Sequence, residues 1–405
     1  MSSDQLIELT SLVETAKILN SSLDYKFILN HIMLASMGKL AVSRSAAFVN
    51  IFQSAEYEKN ILKLSKGIIL SSDMIVKLLS IDLEGTVETS SSGDSDIRDL
   101  VNAGVSRIFP IRSSHRLFGY LLIGKKLLGG EFTPAEIEFV STLCNIATMA
   151  IDNARLFEES LAKQRLEEEL NLAHSIQEKL LPKIMPDVPW CIVDTFHIPT
   201  KQVGGDYFDV IKLNETSLCT AIADVSGKGF PAALLMANLQ SAFRALVSAQ
   251  LPLNEITKRL NKIVFENTDP DKFITFFVSI YDSVARSLSY VNAGHNYPFL
   301  ITRGGEINRL DKGGLMLGVI EDVEYQLGKE ETQSGDVLYL FTDGVSEALN
   351  FNGEEFTEER LEQTLRLNLN HSASDILKNV REEIASFVGG APQSDDITQV
   401  CLKFS

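Results

Sequence analysis

The hydrophobic pattern opens as helix. Through LTSLVETAKILNSSLDYKFILNHIMLA apolar residues recur three and four apart, which predicts helix over 5–40, with Asp24 placed to cap a second segment. SAAFVNIF (45–52) and ILKLSKG (61–67) then read as strands, and TSSSGDSD (89–96), small and polar, as a surface loop. VSRIFPIRS (105–113) and RLFGYLLIGKK (116–126) predict two strands joined by a short turn. A long helix follows from 131, with Thr133 at its N-cap, Pro134 at the first helical position and Glu136 supporting the cap. It runs on through SLAKQRLEEELNLAHSIQEKLLP, where Leu166, Leu170, Ala173 and Leu180 keep a 4-3-7 spacing. This short coiled-coil pattern predicts a connecting helix that pairs two protomers; a single amphipathic helix on its own domain is the alternative. Pro182, Pro186 and Pro189 end the helix and mark a boundary.

Beyond Trp190 the period changes. CIVDTFHIP, DYFDVIKL and SLCTAIADV read as short consecutive strands, and Pro231 and Pro252 each open a helix. Strands return in FITFFVSIYDS, SLSYVNAGH, PFLITR and VLYLFTD; two helices lie near 357–388, and DDITQVCLKF closes as a strand. Strand runs interrupted by helix pairs predict an α+β sandwich, two sheets with helices outside them. The expected organisation is a first domain over 1–157, a helical linker over 158–185 and a second domain over 186–405.

A chain of 405 residues, 45% apolar and 22% charged, has room for a core in each domain. Its net charge of −17 disfavours nucleic acid and suits cations or a basic protein patch. Cys144, Cys191, Cys219 and Cys401 are far apart in sequence and form no C-x-x-C pair, so buried free thiols are expected rather than zinc or disulfides. The N-terminus carries no basic and apolar leader, and no apolar stretch reaches 18 residues; a cytoplasmic protein with no membrane span is expected.

Four places in the second domain share one grammar, an acid at a strand end beside glycine or another polar residue: GGDYFD (204–209), ADVSGKG (223–229), FTDGVSE (341–347) and SDDITQ (394–399). Carboxylates brought together repel unless a cation sits among them, and hard oxygen donors suit Mg²⁺ or Mn²⁺. Side chains alternate along a strand, so Asp206 and Asp209 should diverge, as should Asp395 and Asp396. Spacing alone does not choose within either pair; turn aspartates and strand caps are the plain alternative.

Taken in order, VGGDYFDV, ADVSGKGFPAALLMA, VNAGHNYP, GLMLGV, YLFTDGVSEA and SDDITQV resemble the PPM-type serine/threonine phosphatases of the bacterial SpoIIE/RsbU branch, over roughly residues 170–405. The resemblance implies a PPM-type αββα sandwich and a centre of two Mn²⁺ or Mg²⁺ ions. Asp206 would hold one ion, Asp224 would bridge both with help from the Val225 carbonyl, and Asp343 and Asp395 would complete the second, with Asp396 as the alternative. It implies hydrolysis of phosphoserine or phosphothreonine by metal-activated water. It also implies a phosphorylated anti-anti-sigma-factor-like (STAS) protein as substrate in partner-switching signalling. One departure stands out. Eukaryotic members carry a histidine after the bridging aspartate, where this chain has Ser226 and Lys228, so the general acid is left open. His295 and Lys201 are read as a structural histidine and a solvated lysine.

Residues 10–160 resemble a GAF sensory domain in pattern, which implies a possible small-molecule ligand and control of the second domain. The alternative for the whole chain is a non-catalytic, GAF-containing dimeric adaptor with a degenerate phosphatase domain. DSD (94–96) is dismissed as a phosphorylation motif because no strand precedes it, and His174 and Glu178 are assigned to a solvated helix face.

Overall fold

The computed structural model describes residues 3–51, 61–269 and 271–405, with side chains described from Thr10 onward. The last residue of the strand predicted over 45–52, Phe52, lies outside them. The chain divides into two compact units, Met1–Leu166 and Glu167–Ser405.

The first unit comprises α1 (Ser3–Asn20), α2 (Tyr25–Leu40), β1 (Ser45–Asn50), β2 (Ile61–Lys66), α3 (Ser72–Ser80), β3 (Val87–Glu88), α4 (Ser95–Asp99), β4 (Arg107–Arg112), β5 (Leu117–Ile123) and the start of α5 (Pro134–Leu180). Asp24 caps α2 by accepting from the Lys26 and Phe27 amides. Thr133 and Glu136 form a reciprocal capping box at α5: Glu136 N–H donates to Thr133 Oγ1 and Thr133 N–H to Glu136 Oε2. The strands make an antiparallel sheet ordered β2-β1-β5-β4-β3. One face buries Ile28, Leu29 and Ile32 of α2 with Val140, Cys144, Ala147 and Ile151 of α5. The other buries Ile75, Leu78, Ile97 and Leu100 of α3 and α4 against Phe48, Ile108, Tyr120 and Leu122. The sequence pattern passed over α3, whose amphipathic run is only 9 residues long. The loop predicted over 89–96 is also cut short, because Asp94 caps α4 through the Asp96 and Ile97 amides.

The second unit holds β6 (Cys191–Ile198), β7 (Tyr207–Lys212), β8 (Ser217–Val225), α6 (Phe230–Ser248), α7 (Leu253–Asn267), β9 (Ile274–Asp282), β10 (Ser287–Ala293), β11 (Phe299–Ile301), β12 (Ile307–Arg309), β13 (Gly313–Gly314), β14 (Gly328–Glu331), β15 (Val337–Phe341), α8 (Asp343–Ser346), α9 (Glu358–Asn368), α10 (Ala373–Val388) and β16 (Ile397–Phe404). Two sheets result: β13-β10-β9-β8-β7, with β14 beside β10, and β12-β11-β15-β16-β6. Tyr281 of the first packs on Phe404 of the second, ring centroids 4.3 Å apart, in a core that also holds Leu218, Leu338 and Val400. Helices α6 and α7 cover the first sheet through Met236, Leu239, Phe243, Ile256 and Leu260. Helices α9 and α10 cover the second through Leu361, Leu365, Ile376 and Val380. This is the expected α+β sandwich with helices on both outer faces. The central strand β8 is buried nearly end to end, as a strand covered on both faces must be. Among the described residues one helix, α6, is long and apolar enough to cross a membrane, and its Met236, Leu239 and Phe243 are buried in this unit.

Candidate metal centre

Strand order brings the four acidic motifs to one end of the sandwich. Strand β7 pairs antiparallel with β8, Tyr207 opposite Ala223, so Asp206 just before β7 faces Asp224 near the end of β8. Strands β15 and β16 pair Phe341 with Gln399, which puts Asp343, just after β15, beside Asp395, just before β16. Asp206 and Asp224 lie within hydrogen-bonding reach of each other, and Asp343 and Asp395 both repel Asp224.

The electrostatics follow. Burial, then repulsion from Asp224, holds the Asp206 carboxyl well above the usual carboxylate range. Burial, then Asp343 and Asp395, pushes Asp224 up to about 7. Burial and Asp395 raise Asp343, and burial with Asp343 raises Glu347 at the rim. Lys228, on the loop after β8, stands 2.7 Å from Asp395 and donates to the Ser394 carbonyl at 2.6 Å. That ion pair raises the lysine.

Asp206 is fixed from behind. The Thr342 hydroxyl donates to its Oδ2 at 2.8 Å, and the Thr398 hydroxyl donates to the same oxygen. Asp396 does different work: its Oδ1 accepts the Thr200 amide at 2.7 Å and its Oδ2 the Gly205 amide at 2.8 Å. Both of its oxygens therefore clamp the turn that carries Asp206. Asp209 points elsewhere again. It is fully buried, accepts Arg244 of α6 through both oxygens (2.7 and 3.0 Å) and takes the Tyr207 hydroxyl at 2.6 Å.

The glycines are explained by close approach. A Cβ on Gly204 would meet the Asp396 carboxylate, and one on Gly344 the Asp396 carbonyl. A Cβ on Gly205 would stand 2.9 Å from the Val225 carbonyl. None of the three has a positive φ, so these positions need glycine for space and not for rotational freedom. Gln177 of α5 adds a further hold: its Nε2 donates to the Gly204 carbonyl at 2.7 Å and its Oε1 accepts the Gly204 amide at 3.1 Å. Sequence reasoning missed Gln177, Thr342, Thr398 and Arg244, since each is identified only by its partner across the fold.

His295 is structural. Its Nδ1 meets Thr275 Oγ1 at 2.9 Å, its Nε2 donates to the Phe341 carbonyl at 3.1 Å, and burial lowers it to about 4. A neutral imidazole with both nitrogens engaged has no proton to give. Lys201 is exposed, and His174 and Glu178 share an exposed helix face at 3.7 Å.

Among the described residues, no three histidine, cysteine, aspartate or glutamate side chains close tightly enough to hold a metal ion unaided. The donor set still fits a hydrated hard cation: it is all oxygen, its members repel one another, and Mg²⁺-like ions retain several waters beside one or two carboxylates.

The comparisons agree with this architecture. The model of the Stage II sporulation protein E (SpoIIE) family matches residues 214–405. Phosphoserine phosphatase RsbU of Bacillus subtilis is 31% identical over 243 residues, 60% of this chain and 71% of that protein. Protein IcfG of Synechocystis sp. is 27% identical over 261 residues, 58% of this chain and 41% of that protein. Among solved structures, the SiaA-PP2C domain of Pseudomonas aeruginosa superposes with a TM-score of 0.54 at 21% identity, over 60% of this chain and 99% of that domain. The sandwich is thus a PP2C-type phosphatase fold. The chain belongs to the SpoIIE/RsbU family of PP2C-type serine/threonine phosphatases.

Proposed function

We propose that the protein removes phosphate from phosphoserine or phosphothreonine in a protein, using two divalent cations, Mn²⁺ or Mg²⁺. Asp206 and Asp224 would hold the first, and Asp224, Asp343 and Asp395 the second, with the Val225 carbonyl beside them. The observation that carries this reading is that the β7–β8 and β15–β16 pairings bring Asp206, Asp224, Asp343 and Asp395 to one end of the sandwich. Asp396 is left out because both of its oxygens already hold backbone amides. When bound, the cations would supply a lowered pKa for the attacking water and charge neutralisation on the phosphoryl oxygens. The chain's own part is positioning: Thr342 and Thr398 fix Asp206, Asp396 and Gln177 fix its turn, and the rim of the site stays open to a protein substrate.

The substrate we favour is a phosphorylated anti-anti-sigma-factor-like (STAS) protein, which the resemblance to the SpoIIE/RsbU branch implies; the name of RsbU supports phosphoserine as the group removed. We assign the first unit a GAF-like sensory role. Its face toward α3 and α4 is filled by side chains such as Phe48 and Tyr120. A small-molecule signal would instead fit a cavity of about 300 Å³ lined by Arg107, Lys125, Lys126 and Phe132. The exposed Leu156, Phe157, Leu161, Leu166, Leu172 and Ile176 along α5 support homodimerisation through that helix. Gln177 gives α5 a direct hold on the Asp206 turn and so a route for control.

The test is hydrolysis of a phosphorylated STAS protein and of an aryl phosphate by the full chain with Mn²⁺ or Mg²⁺. Activity should vanish with chelator and fall at least about hundredfold in Asp224→Asn. Unchanged activity in both would end the two-metal reading.

A further inference from the structure

Lys228 stands at the acidic end, and the proposed reaction leaves it without a role. It sits on the Ser226–Gly229 loop between two glycines with positive φ, Gly227 (+96°) and Gly229 (+82°), so the backbone around it is built from the residues least restricted in rotation. Its ammonium makes two contacts, the Asp395 carboxylate at 2.7 Å and the Ser394 carbonyl at 2.6 Å. It therefore occupies an oxygen that the proposed second cation needs. A flexible, compact ammonium with three donors can let go and swing as a unit, which a forked guanidinium does less readily.

We propose that Lys228 is a tethered cation that holds Asp395 until a divalent ion displaces it, and that the released ammonium then contacts the substrate phosphate. This rests on the two-metal reading above. The first half follows from charge: an ammonium and a divalent ion cannot share one carboxylate without strong repulsion, so metal entry and lysine release are linked. The second half follows from place. The displaced side chain stays at the mouth of the same site, beside a concavity lined by Ser226, Leu234, Asn267 and Lys272. Asp343 and Asp396 also act on it and Asp269 lines the same concavity, and an incoming phosphate dianion would add a stronger partner for its charge once cations neutralise the acids. Lys228 is then a positioning residue that couples metal loading to phosphate binding. It stabilises the acidic cluster before the metal arrives and recognises the substrate afterwards.

The competing ion pair is partly open to water, with side-chain exposures of 44% for Lys228 and 34% for Asp395, so its effect is discounted from that of a buried pair. Calorimetric titration of the full chain with Mn²⁺ should show Lys228→Gln binding its weaker ion about three- to tenfold more tightly than the parent. Lys228→Arg, which keeps the charge and lets go less readily, should bind Mn²⁺ no more tightly than the parent. Titration of the Mn²⁺-loaded proteins with inorganic phosphate should show the reverse order, with Lys228→Gln weakest. Equal or weaker Mn²⁺ binding by Lys228→Gln overturns the exchange, and equal phosphate affinity overturns the second role. Asp395→Asn separates this from the underlying reading: if that variant still binds its full complement of Mn²⁺, the assignment of Asp395 fails. If it loses one ion while Lys228→Gln matches the parent, only the lysine exchange fails.

Discussion

Asp396 and Gly205 are joined by a 2.8 Å hydrogen bond across 191 positions of sequence, the carboxylate accepting the glycine amide. With the second bond to Thr200, this ties the start of β16 to the loop that delivers Asp206. Asp396→Ala should therefore act on the geometry of Asp206 and leave ligand number intact. The expected result is an activity and Mn²⁺ affinity lowered about tenfold to hundredfold, with metal stoichiometry unchanged by calorimetry. Loss of one bound ion would make Asp396 a ligand instead.

Gly344 packs against the carbonyl of the same Asp396, with no room for a methyl. Gly344→Ala must push backbone against backbone, which no rotamer change relieves. A loss of roughly 1–3 kcal/mol in stability is expected in urea unfolding, together with lost activity. Gly353→Ala, whose added carbon meets nothing within 4 Å though its φ is positive, serves as the comparison for backbone strain alone.

Asp209 shows why two acids in one motif need not share a job. It is completely buried, while the guanidinium of Arg244 that satisfies it is about half exposed. Arg244→Ala leaves a buried carboxylate with only Tyr207 and a backbone amide as donors. The expected cost is roughly 2 kcal/mol of stability, with Mn²⁺ affinity nearly unchanged. A large loss of metal affinity at unchanged stability would reverse the assignment.

His295 sets an acid limit. Burial lowers it from an ordinary value of 6.5 to about 4, so the unfolded chain takes up its proton before the folded one does. Stability from this residue is complete above about 6.5 and is lost as pH falls toward 4, on the order of 3 kcal/mol in total. Denaturation of His295→Asn, compared with the parent at each pH, should show a smaller loss across that window. Parallel curves would remove the effect.

Gln177 tests the control route. Gln177→Ala removes both hydrogen bonds to Gly204 but touches none of the four acids. Activity should fall about tenfold with the fold intact by circular dichroism. An unchanged rate would leave α5 without a lever on the site.

Much of this was legible beforehand because it depends on local rules. The α5 capping box and the Asp24 cap need only neighbouring residues, and the buried run SLCTAIADV marks a central strand on its own. Period two correctly separated Asp206 from Asp209. What was not legible depends on register between distant strands. Thr398 reaches Asp206 across 192 positions, and Asp396, whose divergence from Asp395 was expected, serves a loop nearly two hundred residues away. The glycines of VGGD leave space for the Asp396 carboxylate and the Val225 carbonyl, which no local pattern encodes. Helix α3 was overlooked because a 9-residue amphipathic run gives too few repeats to stand out.

The cysteines divide unevenly: Cys144 is buried in the first unit, and Cys191, Cys219 and Cys401 in the second. Burial pushes Cys191 up to about 12 and raises the other three as well, so none offers a thiolate to solvent in the native state. The molecule thereby carries its own pair of clocks. Under a labelling pulse in rising denaturant, a mass gain of one tag times the opening of the first unit, and a gain of three times the second. Whether the two units come apart together or in sequence can be read from an unaltered chain by counting adducts.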